Sequence, residues 1–170
     1  KGNLKTSRGD LPTAIYKLNN YLPRAWFVNE VEKVKESEIW QRISFQDYNP
    51  KEKVYTFEKI DLTPTKLGKI KSIDQSIHKT TIITESFEDQ FLVLSEVFYP
   101  LRWKAFVDKN PTKTFQVNGI LRGVIVPKGA HTIEFVYDKS SFNFGYSISL
   151  LSFMISIALI GSGFYKERRK

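Results

Sequence analysis

Apolar and polar residues alternate with a period of two through most of the chain after residue 53. About eight segments have this pattern and are rich in Val, Ile, Thr, Phe and Tyr, as strands are; they read VYTFEKI, KIKSIDQSI, KTTIITES, QFLVLSEVF, RWKAFVD, TKTFQVN, LRGVIVP and HTIEFVYD. Turn-forming residues separate them, and Asp108–Pro111 and Pro127–Gly129 have the composition of hairpin turns. Short strands spaced about ten residues apart predict an antiparallel β-sandwich, jelly-roll-like in arrangement.

The part of the chain before these segments has a different pattern. Residues 1–20 are polar and predict an entry segment with one short strand, whereas the compact apolar run Pro23–Val28 suits an apolar strand. Segment Ser37–Phe45 has apolar residues at helical spacing, which predicts one short helix with Ser37 as its N-cap. The helix should end before Asn49-Pro50, which is a breaker.

The segment Tyr146–Tyr165, YSISLLSFMISIALIGSGFY, has no charged residue. At about 1.5 Å per residue it reaches roughly 30 Å, the hydrocarbon thickness of a bilayer. The basic cluster KERRK follows at 166–170, and such clusters mark the cytoplasmic side. We therefore expect residues 1–145 to form an extracytoplasmic domain, 146–165 a transmembrane helix and 166–170 a cytoplasmic tail. A buried helix of a soluble protein is the alternative, and the uniformly apolar composition disfavours it.

Composition excludes several functional classes. The formal net charge is +8; residues 166–170 contribute +3, which leaves +5 for the rest. Those charges alternate in sign, as in KEKVYTFEK, whereas a nucleic-acid-binding surface would be clustered, so we expect no nucleic-acid partner. The chain has no cysteine, which excludes disulfides, thiolate metal sites and a thiol nucleophile.

The predicted topology requires export, yet the first residues have no apolar signal core. The simplest expectation is that this chain is the C-terminal piece of a longer protein whose earlier membrane spans precede it. Ser149, Ser152, Ser156 and Gly163 fall on one face of the predicted span. Small residues let helices approach closely in lipid, so this face is suited to packing against those spans. The alternative is that serines are simply tolerated in a membrane helix.

Four segments carry a family resemblance: LNNYLPRAWFV, FLVLSEVFYPLRWKAFVD, QVNGILRGVIVPKGAHTIEFVYD and SFNFGYSIS. Their most specific elements are YP-x-x-W, RGV-x-VP-x-G-x-H and SF-x-x-G, the last of which precedes the final apolar span. In this order they resemble the C-terminal end of the YfhO family of bacterial membrane proteins. One departure is that Leu101-Arg102 follows the YP dipeptide where a glycine is common in the family.

The resemblance implies a large multi-spanning parent protein, similar to glycosyltransferases that use lipid-linked sugars. Such proteins have an extracytoplasmic C-terminal domain followed by a last transmembrane helix. The family's catalytic acids lie in early loops that this chain does not contain, so no catalytic residue can be assigned here. The implied location is a bacterial cytoplasmic membrane, with the main domain on its outer side.

Aromatic, arginine and asparagine residues near the YP motif are candidates for glycan binding: Tyr99, Arg102, Trp103, Asn118 and Arg122. Aromatic rings cover the C–H patches of sugars, while polar side chains satisfy the hydroxyls. The alternative is that Trp103 anchors the core and Arg122 pairs with a carboxylate.

Other chemistry-bearing residues predict structure rather than function. Trp26 and Trp40 are predicted core residues. His78 and His131 have no partners at metal-ligand spacing, so we expect neither a metal nor another cofactor. The carboxylates between residues 85 and 89 are typical of a solvated turn. The sequence therefore predicts an accessory domain that binds glycan or braces a catalytic membrane domain; the alternative is a structural or protein-interaction domain without sugar affinity.

Overall fold

A computed structural model describes residues 2–6, 9–13 and 21–168, with side chains described from 21 to 161 and at 168. Most of this chain is β-structure. The strands are β1 Gly2–Thr6, β2 Gly9–Thr13, β3 Ala25–Val28, β4 Glu30–Lys33, β5 Lys53–Thr56, β6 Lys69–Gln75, β7 Lys79–Ser86, β8 Gln90–Val97, β9 Trp103–Val107, β10 Asn110–Thr112, β11 Phe115–Val117, β12 Leu121–Val126 and β13 Gly129–Tyr137. The helices are a 3-10 turn Glu36–Glu38, α1 Ile39–Ile43 and α2 Ser140–Glu167.

The strands form two main sheets, which confirms the predicted sandwich. One sheet has the order β10-β9-β13-β7-β6, and the other has the order β3-β8-β12-β11-β5-β4. Strands β1 and β2 form a separate hairpin. Pairing is antiparallel throughout the two main sheets except between β4 and β5, which run parallel.

The space between the two sheets is filled by alternate side chains of facing strands. Leu92 and Leu94 of β8 and Val124 and Val126 of β12 contribute from the six-stranded sheet, and Ile82, Ala105, Ile133 and Phe135 from the five-stranded sheet. Every one of these is essentially inaccessible to solvent. Because side chains alternate along a strand, burial of one face accounts for the period-two pattern in the sequence.

The six-stranded sheet is also covered on its outer face. Phe91 and Val93 of β8 pack there with Val54, Phe115 and Trp26, in a second apolar cluster. Strand β8 is consequently buried on both sides, which explains its unbroken apolar run FLVL.

A close approach between β12 and β8 requires a glycine. A Cβ at Gly123 would lie 2.5 Å from one ring carbon of Phe91 and 3.0 Å from the Leu92 carbonyl oxygen. Phe91 is fully buried, so its ring has little room to move away. The glycine of the RGV motif thus lets the Phe91 ring pack directly against the backbone of β12.

The sequence-predicted strands agree with β5 to β9 and β11 to β13, and Pro23–Val28 contains β3. Two strands were not predicted: β4, and β10, which begins inside the predicted turn Asp108–Pro111. The polar N-terminal region contains two strands, the β1–β2 hairpin, where one short strand was predicted; positions 14–20 lie outside the described residues.

The predicted short helix is present, but two details were wrong. Ser37 lies inside the 3-10 turn, and the residue preceding α1 is Glu38, which makes no side-chain cap hydrogen bond. Trp26 is buried as predicted, whereas Trp40 is 56% exposed and was wrongly assigned to the core. Ile39 is the residue of α1 that enters the core, and Trp40 is about 100° away from it around the helix axis.

Helix α2 continues almost directly from the last strand. It begins at Ser140 rather than at Tyr146, so the predicted connection 140–145 is helical. The carboxylate of Asp138 accepts a hydrogen bond from Ser140 N at 2.9 Å and so caps the first turn. Within α2, residues Ser140–Gly161 are long and apolar enough to cross a membrane, and none of this stretch is buried by the rest of the protein.

Candidate functional site

The end of the sandwich from which α2 departs, called here the helix end, contains all five predicted glycan-binding residues. The loop between β8 and β9 turns tightly there, since the backbone amides of Arg102 and Trp103 both donate to the Tyr99 carbonyl, at 3.2 and 3.0 Å. Arg102 also joins this loop to α2. Its carbonyl accepts from Asp138 N at 2.6 Å, and its guanidinium donates to the Ser141 hydroxyl at 2.6 Å.

Trp103 is only partly buried, and part of its surface is occupied by neighbours. The Arg122 guanidinium lies over its ring at 4.5 Å from the centroid. Tyr137, its cross-strand partner, meets it edge-on at a centroid distance of 5.6 Å. Trp103 also borders an open groove of about 470 Å³, together with Pro100, Lys113 and other residues of β9 and β10.

Arg122 is inside the protein. It points from β12 between the sheets, is 1% exposed, and has its guanidinium between the rings of Trp103 and Phe135. One guanidinium nitrogen pairs with the carboxylate of Glu96 on β8. Its Nε and Nη1 find no hydrogen-bond partner among the described residues. The alternative prediction, pairing of Arg122 with a carboxylate, is therefore what the structure has.

Glu96 is the centre of a small polar network at this end. Besides Arg122, it accepts from Arg24 at 2.6 Å and from the Gln75 amide at 2.9 Å. Burial lowers the pKa of Arg122 to about 10, and the charge of Arg24 acts in the same direction. Arg122 is still protonated at neutral pH, so the pair is ionic.

A local irregularity gives Glu96 its position. The register between β12 and β8 shifts between Leu121, which pairs with Val97, and Arg122, which pairs with Leu94. Ser95 and Glu96 consequently have no direct partner on β12. Bulges of this kind redirect side chains, and here the bulge accompanies a carboxylate that pairs with an arginine in an otherwise apolar interior.

The side chain of Asn118 hydrogen-bonds to the backbone of a neighbouring strand. Its side-chain oxygen accepts a hydrogen bond from Tyr55 N at 2.9 Å, and its backbone N–H donates to the Tyr55 carbonyl at 2.9 Å. It is buried, and it has a positive φ of 50°, followed by Gly119 with a φ of 82°. Asparagine tolerates this left-handed conformation better than most residues. The side chain thus joins the β11–β12 turn to β5.

The five predicted residues are therefore near one another but differ in accessibility. Tyr99 is exposed, Arg102 and Trp103 are partly exposed, and Asn118 and Arg122 are buried with their side chains engaged inside the protein. Any ligand from solvent would meet Tyr99, Arg102 and the groove side of Trp103 first.

A larger cleft lies elsewhere, between α1 and the β4–β5 pair, with a volume of about 590 Å³. Its walls include the exposed ring of Phe45 and the stacked rings of Tyr48 and Tyr55. Lys53 is paired with Glu30 at 2.7 Å and with Glu32 at 3.1 Å. The sequence does not predict this cleft, because β4 has no alternating apolar pattern.

Charged groups far from the helix end stabilise turns. The carboxylate of Glu88 accepts from both the amide and the hydroxyl of Thr65, which lowers its pKa. His131 contacts Asp108 at 2.5 Å, and this partner raises the pKa of the imidazole. Among the described residues, no group of three or more His, Cys, Asp or Glu side chains is arranged to hold a metal ion.

Comparison with known proteins identifies no relative. No family model matches the chain. No curated protein matches it, and no solved structure does.

Proposed function

We propose that this chain is a membrane-anchored accessory domain that braces the membrane-embedded part of a larger YfhO-like sugar transferase. The observation that carries the proposal is the direct connection between sandwich and helix. Strand β13 ends at Tyr137 and α2 begins at Ser140, and the junction is fixed by the hydrogen bonds of Arg102 and Asp138.

A fixed junction distinguishes a brace from a tethered module. A flexible linker of many residues would let a domain move independently of its anchor. Here the helix start is bonded both to the preceding residues and, through Arg102, to a different loop of the sandwich. Tilting of the helix would therefore be transmitted to the sandwich, which suits a domain that holds membrane spans or their loops in position.

Glycan binding is a second candidate, supported by the groove beside Trp103. The groove presents an aromatic ring together with the side chains of Lys104, Thr112 and Lys113. Rings and hydrogen-bonding side chains in one open groove are suited to a polyhydroxylated ligand. In this proposal Trp103 faces the ligand from the groove, and Arg122 supports its ring from inside. Tyr99 and Arg102 would contact only the part of a ligand that extends over the β8–β9 loop, and Asn118 orders the β11–β12 turn.

The membrane topology is tested first, because both candidates depend on it. The chain has no cysteine, so single cysteines can be introduced without background. We expect Lys59→Cys, at an exposed position, to react with a membrane-impermeant maleimide in intact cells. A cysteine appended after Lys170 should react only after permeabilisation. The reverse pattern would place the domain in the cytoplasm and exclude an extracytoplasmic role.

The bracing role is tested in the longer parent protein. A flexible Gly-Ser insertion between Lys139 and Ser140 should lower transfer of a lipid-linked sugar in isolated membranes, with protein levels unchanged. The same insertion between Lys109 and Asn110, in a turn far from the helix, is the matched control and should leave transfer intact. Equal activity of both insertions would contradict the brace.

A further inference from the structure

Three loops meet at the helix end, and each presents exposed apolar side chains. They are the β6–β7 turn 76–78, the β8–β9 loop 98–102 and the β11–β12 turn 118–120, referred to below as the three proximal loops. Ile77 is 86% exposed and Leu101 is 72% exposed, and Tyr99 and Ile120 are exposed as well. A contiguous patch of exposed apolar side chains marks a site of contact with another molecule or with a membrane.

The three proximal loops form one surface because hydrogen bonds connect them. Tyr137 N donates to the His78 carbonyl at 2.9 Å, which places the β6–β7 turn beside the end of β13. Phe98 N donates to the Ile120 carbonyl at 2.7 Å, which joins the β8–β9 loop to the β11–β12 turn. Arg102 then connects this surface to the first turn of α2.

The position of α2 gives the depth of this surface relative to a bilayer. Residues Ser140–Gly161 rise about 33 Å as a helix, close to the hydrocarbon thickness of about 30 Å. Ser141 would therefore lie near the boundary between acyl chains and headgroups. Because the Arg102 guanidinium is 2.6 Å from the Ser141 hydroxyl, the β8–β9 loop lies close to the same depth.

Charge at the helix end fits the same environment. Arg102, Lys104 and Lys139 surround the start of α2, and Lys79 follows the β6–β7 turn. Long basic side chains extend their charged ends toward headgroup phosphates while their methylene stems cover apolar surface. The exposed rings of Phe142 and Phe144, in the first turns of α2, add apolar surface next to these basic side chains.

We propose that the three proximal loops insert their apolar side chains into the headgroup–acyl boundary of the bilayer, so that the sandwich rests on the membrane. The occupant of this surface is lipid, because an apolar rim with basic side chains lies next to the first turn of the membrane helix. The inference rests on the proposed anchoring by α2. It adds a second contact that fixes the sandwich against the membrane at several loops rather than at a single junction.

The opposite end of the sandwich provides a matched control. Phe87, in the β7–β8 turn, is 72% exposed, as Leu101 is. Strand β7 separates it from the β6–β7 turn by eight residues, about 25 Å at the usual rise per strand residue. Phe87 should therefore stay in water when the helix end contacts lipid.

The test uses single cysteines in the full chain, each carrying the environment-sensitive fluorophore NBD. The positions are Ile77→Cys, Leu101→Cys, Ile120→Cys, the control Phe87→Cys, and Phe153→Cys in the middle of the span. Each variant is reconstituted into vesicles of equal parts phosphatidylglycerol and phosphatidylethanolamine, with nitroxide quenchers near the headgroup or deep in the acyl chains. Circular dichroism confirms that each variant keeps its β-structure.

We expect blue-shifted emission and several-fold stronger shallow quenching at Ile77, Leu101 and Ile120 than at Phe87, with deep quenching at Phe153. If Phe153 is quenched while the three loop positions behave like Phe87, the lipid contact is refuted and the anchor stands. If Phe153 is not quenched by the deep probe, the membrane anchor itself is refuted, and the loop inference fails with it.

Discussion

Arg122 and Glu96 form an ion pair between the two sheets, where aromatic rings flank the Arg122 guanidinium and two further polar side chains, those of Arg24 and Gln75, contact Glu96. Moving both charges out of water is costly, and their attraction offsets that cost only while both are present. The rings of Trp103 and Phe135 cover the guanidinium on its two sides. The pair therefore links β8, β12 and the five-stranded sheet at the end nearest α2.

Removing one partner of this pair should be strongly destabilising. We expect Glu96→Gln to lower the free energy of unfolding by about 3 kcal/mol, because the buried Arg122 charge is left without its counter-ion. The exposed pair of Lys113 and Glu58 is the control, and Glu58→Gln should cost less than about 1 kcal/mol. Denaturant unfolding of the chain in detergent micelles measures both.

A double variant tests whether the cost comes from an isolated charge. Arg122→Met combined with Glu96→Gln removes both charges and keeps apolar volume between the rings. The double variant should be more stable than the sum of the two single losses predicts. Strictly additive losses would show that the two side chains contribute independently.

The strands could be predicted wherever one face of the sheet is buried. Successive side chains of a strand point to opposite faces, so burial of one face selects for apolar or β-branched residues at every second position. In β7, KTTIITES, burial alternates along the strand although the residue types do not, and its β-branched composition indicated the strand; the continuous apolar run of β8 reflects burial on both faces. Strand β4, with the sequence EVEK, has no such pattern because it lies at a sheet edge and is held by backbone pairing to β5. Its formation depends on a partner distant in sequence, which local periodicity does not encode.

The site could be predicted only in part, for related reasons. Composition near the YP-x-x-W motif indicated Tyr99, Arg102 and Trp103 as candidates, and these residues are brought together by local hydrogen bonds within one turn. The burial of Arg122 depends on a bulge in β8 and on rings from the other sheet, and both are tertiary features. Trp40 was misassigned because α1 is short and its buried side is defined by Ile39.

The contact between His131 and Asp108 should make stability depend on pH. When protonated, His131 can donate both to the Asp108 carboxylate and to the Lys128 carbonyl, so its folded-state pKa is raised. This stabilisation is fully present below the unfolded pKa of about 6.5 and is lost as pH rises through the folded-state pKa. Asp108, whose pKa is lowered, loses its contribution only as the medium becomes strongly acidic.

The measurement compares wild type with His131→Gln. Wild type should be more stable by a few tenths to about 1 kcal/mol at mildly acidic pH, since the pair is partly accessible to solvent. The difference in stability between the two proteins should shrink as pH rises to about 8, because the side chain at position 131 is then neutral in wild type as it is in the variant. A difference that grows with increasing pH would contradict the assigned direction.

Gly123 should not tolerate a side chain. Gly123→Ala places a methyl group against the buried Phe91 ring and the Leu92 carbonyl, and we expect a loss of about 1–3 kcal/mol from overpacking. Gly145→Ala is the control, because nothing lies within 4 Å of a Cβ there. Thermal unfolding of the two variants should separate them, and equal midpoints would show that β8 and β12 can move apart without cost.

Trp103 should be important for stability whether or not the domain binds sugar. Its ring packs against Arg122 and Tyr137, so Trp103→Ala should cost about 3 kcal/mol. Such a variant cannot report on glycan binding, because the fold would be weakened together with the site. A test of binding must block the groove without disturbing this packing.

Lys113→Trp provides that test, because Lys113 lines the groove on a side chain that is exposed. A bulky ring there should fill the space beside Trp103 and reduce affinity for envelope glycans at least several-fold, while the unfolding midpoint changes little. Lys71→Trp, on the opposite edge strand of the same sheet, adds the same side chain away from the groove and should bind as wild type does. Titration with cell-wall oligosaccharides measures all three proteins. Undiminished binding in Lys113→Trp, or no binding by wild type, would contradict the glycan-binding role. Bracing of the membrane-embedded part would then be the remaining proposed function.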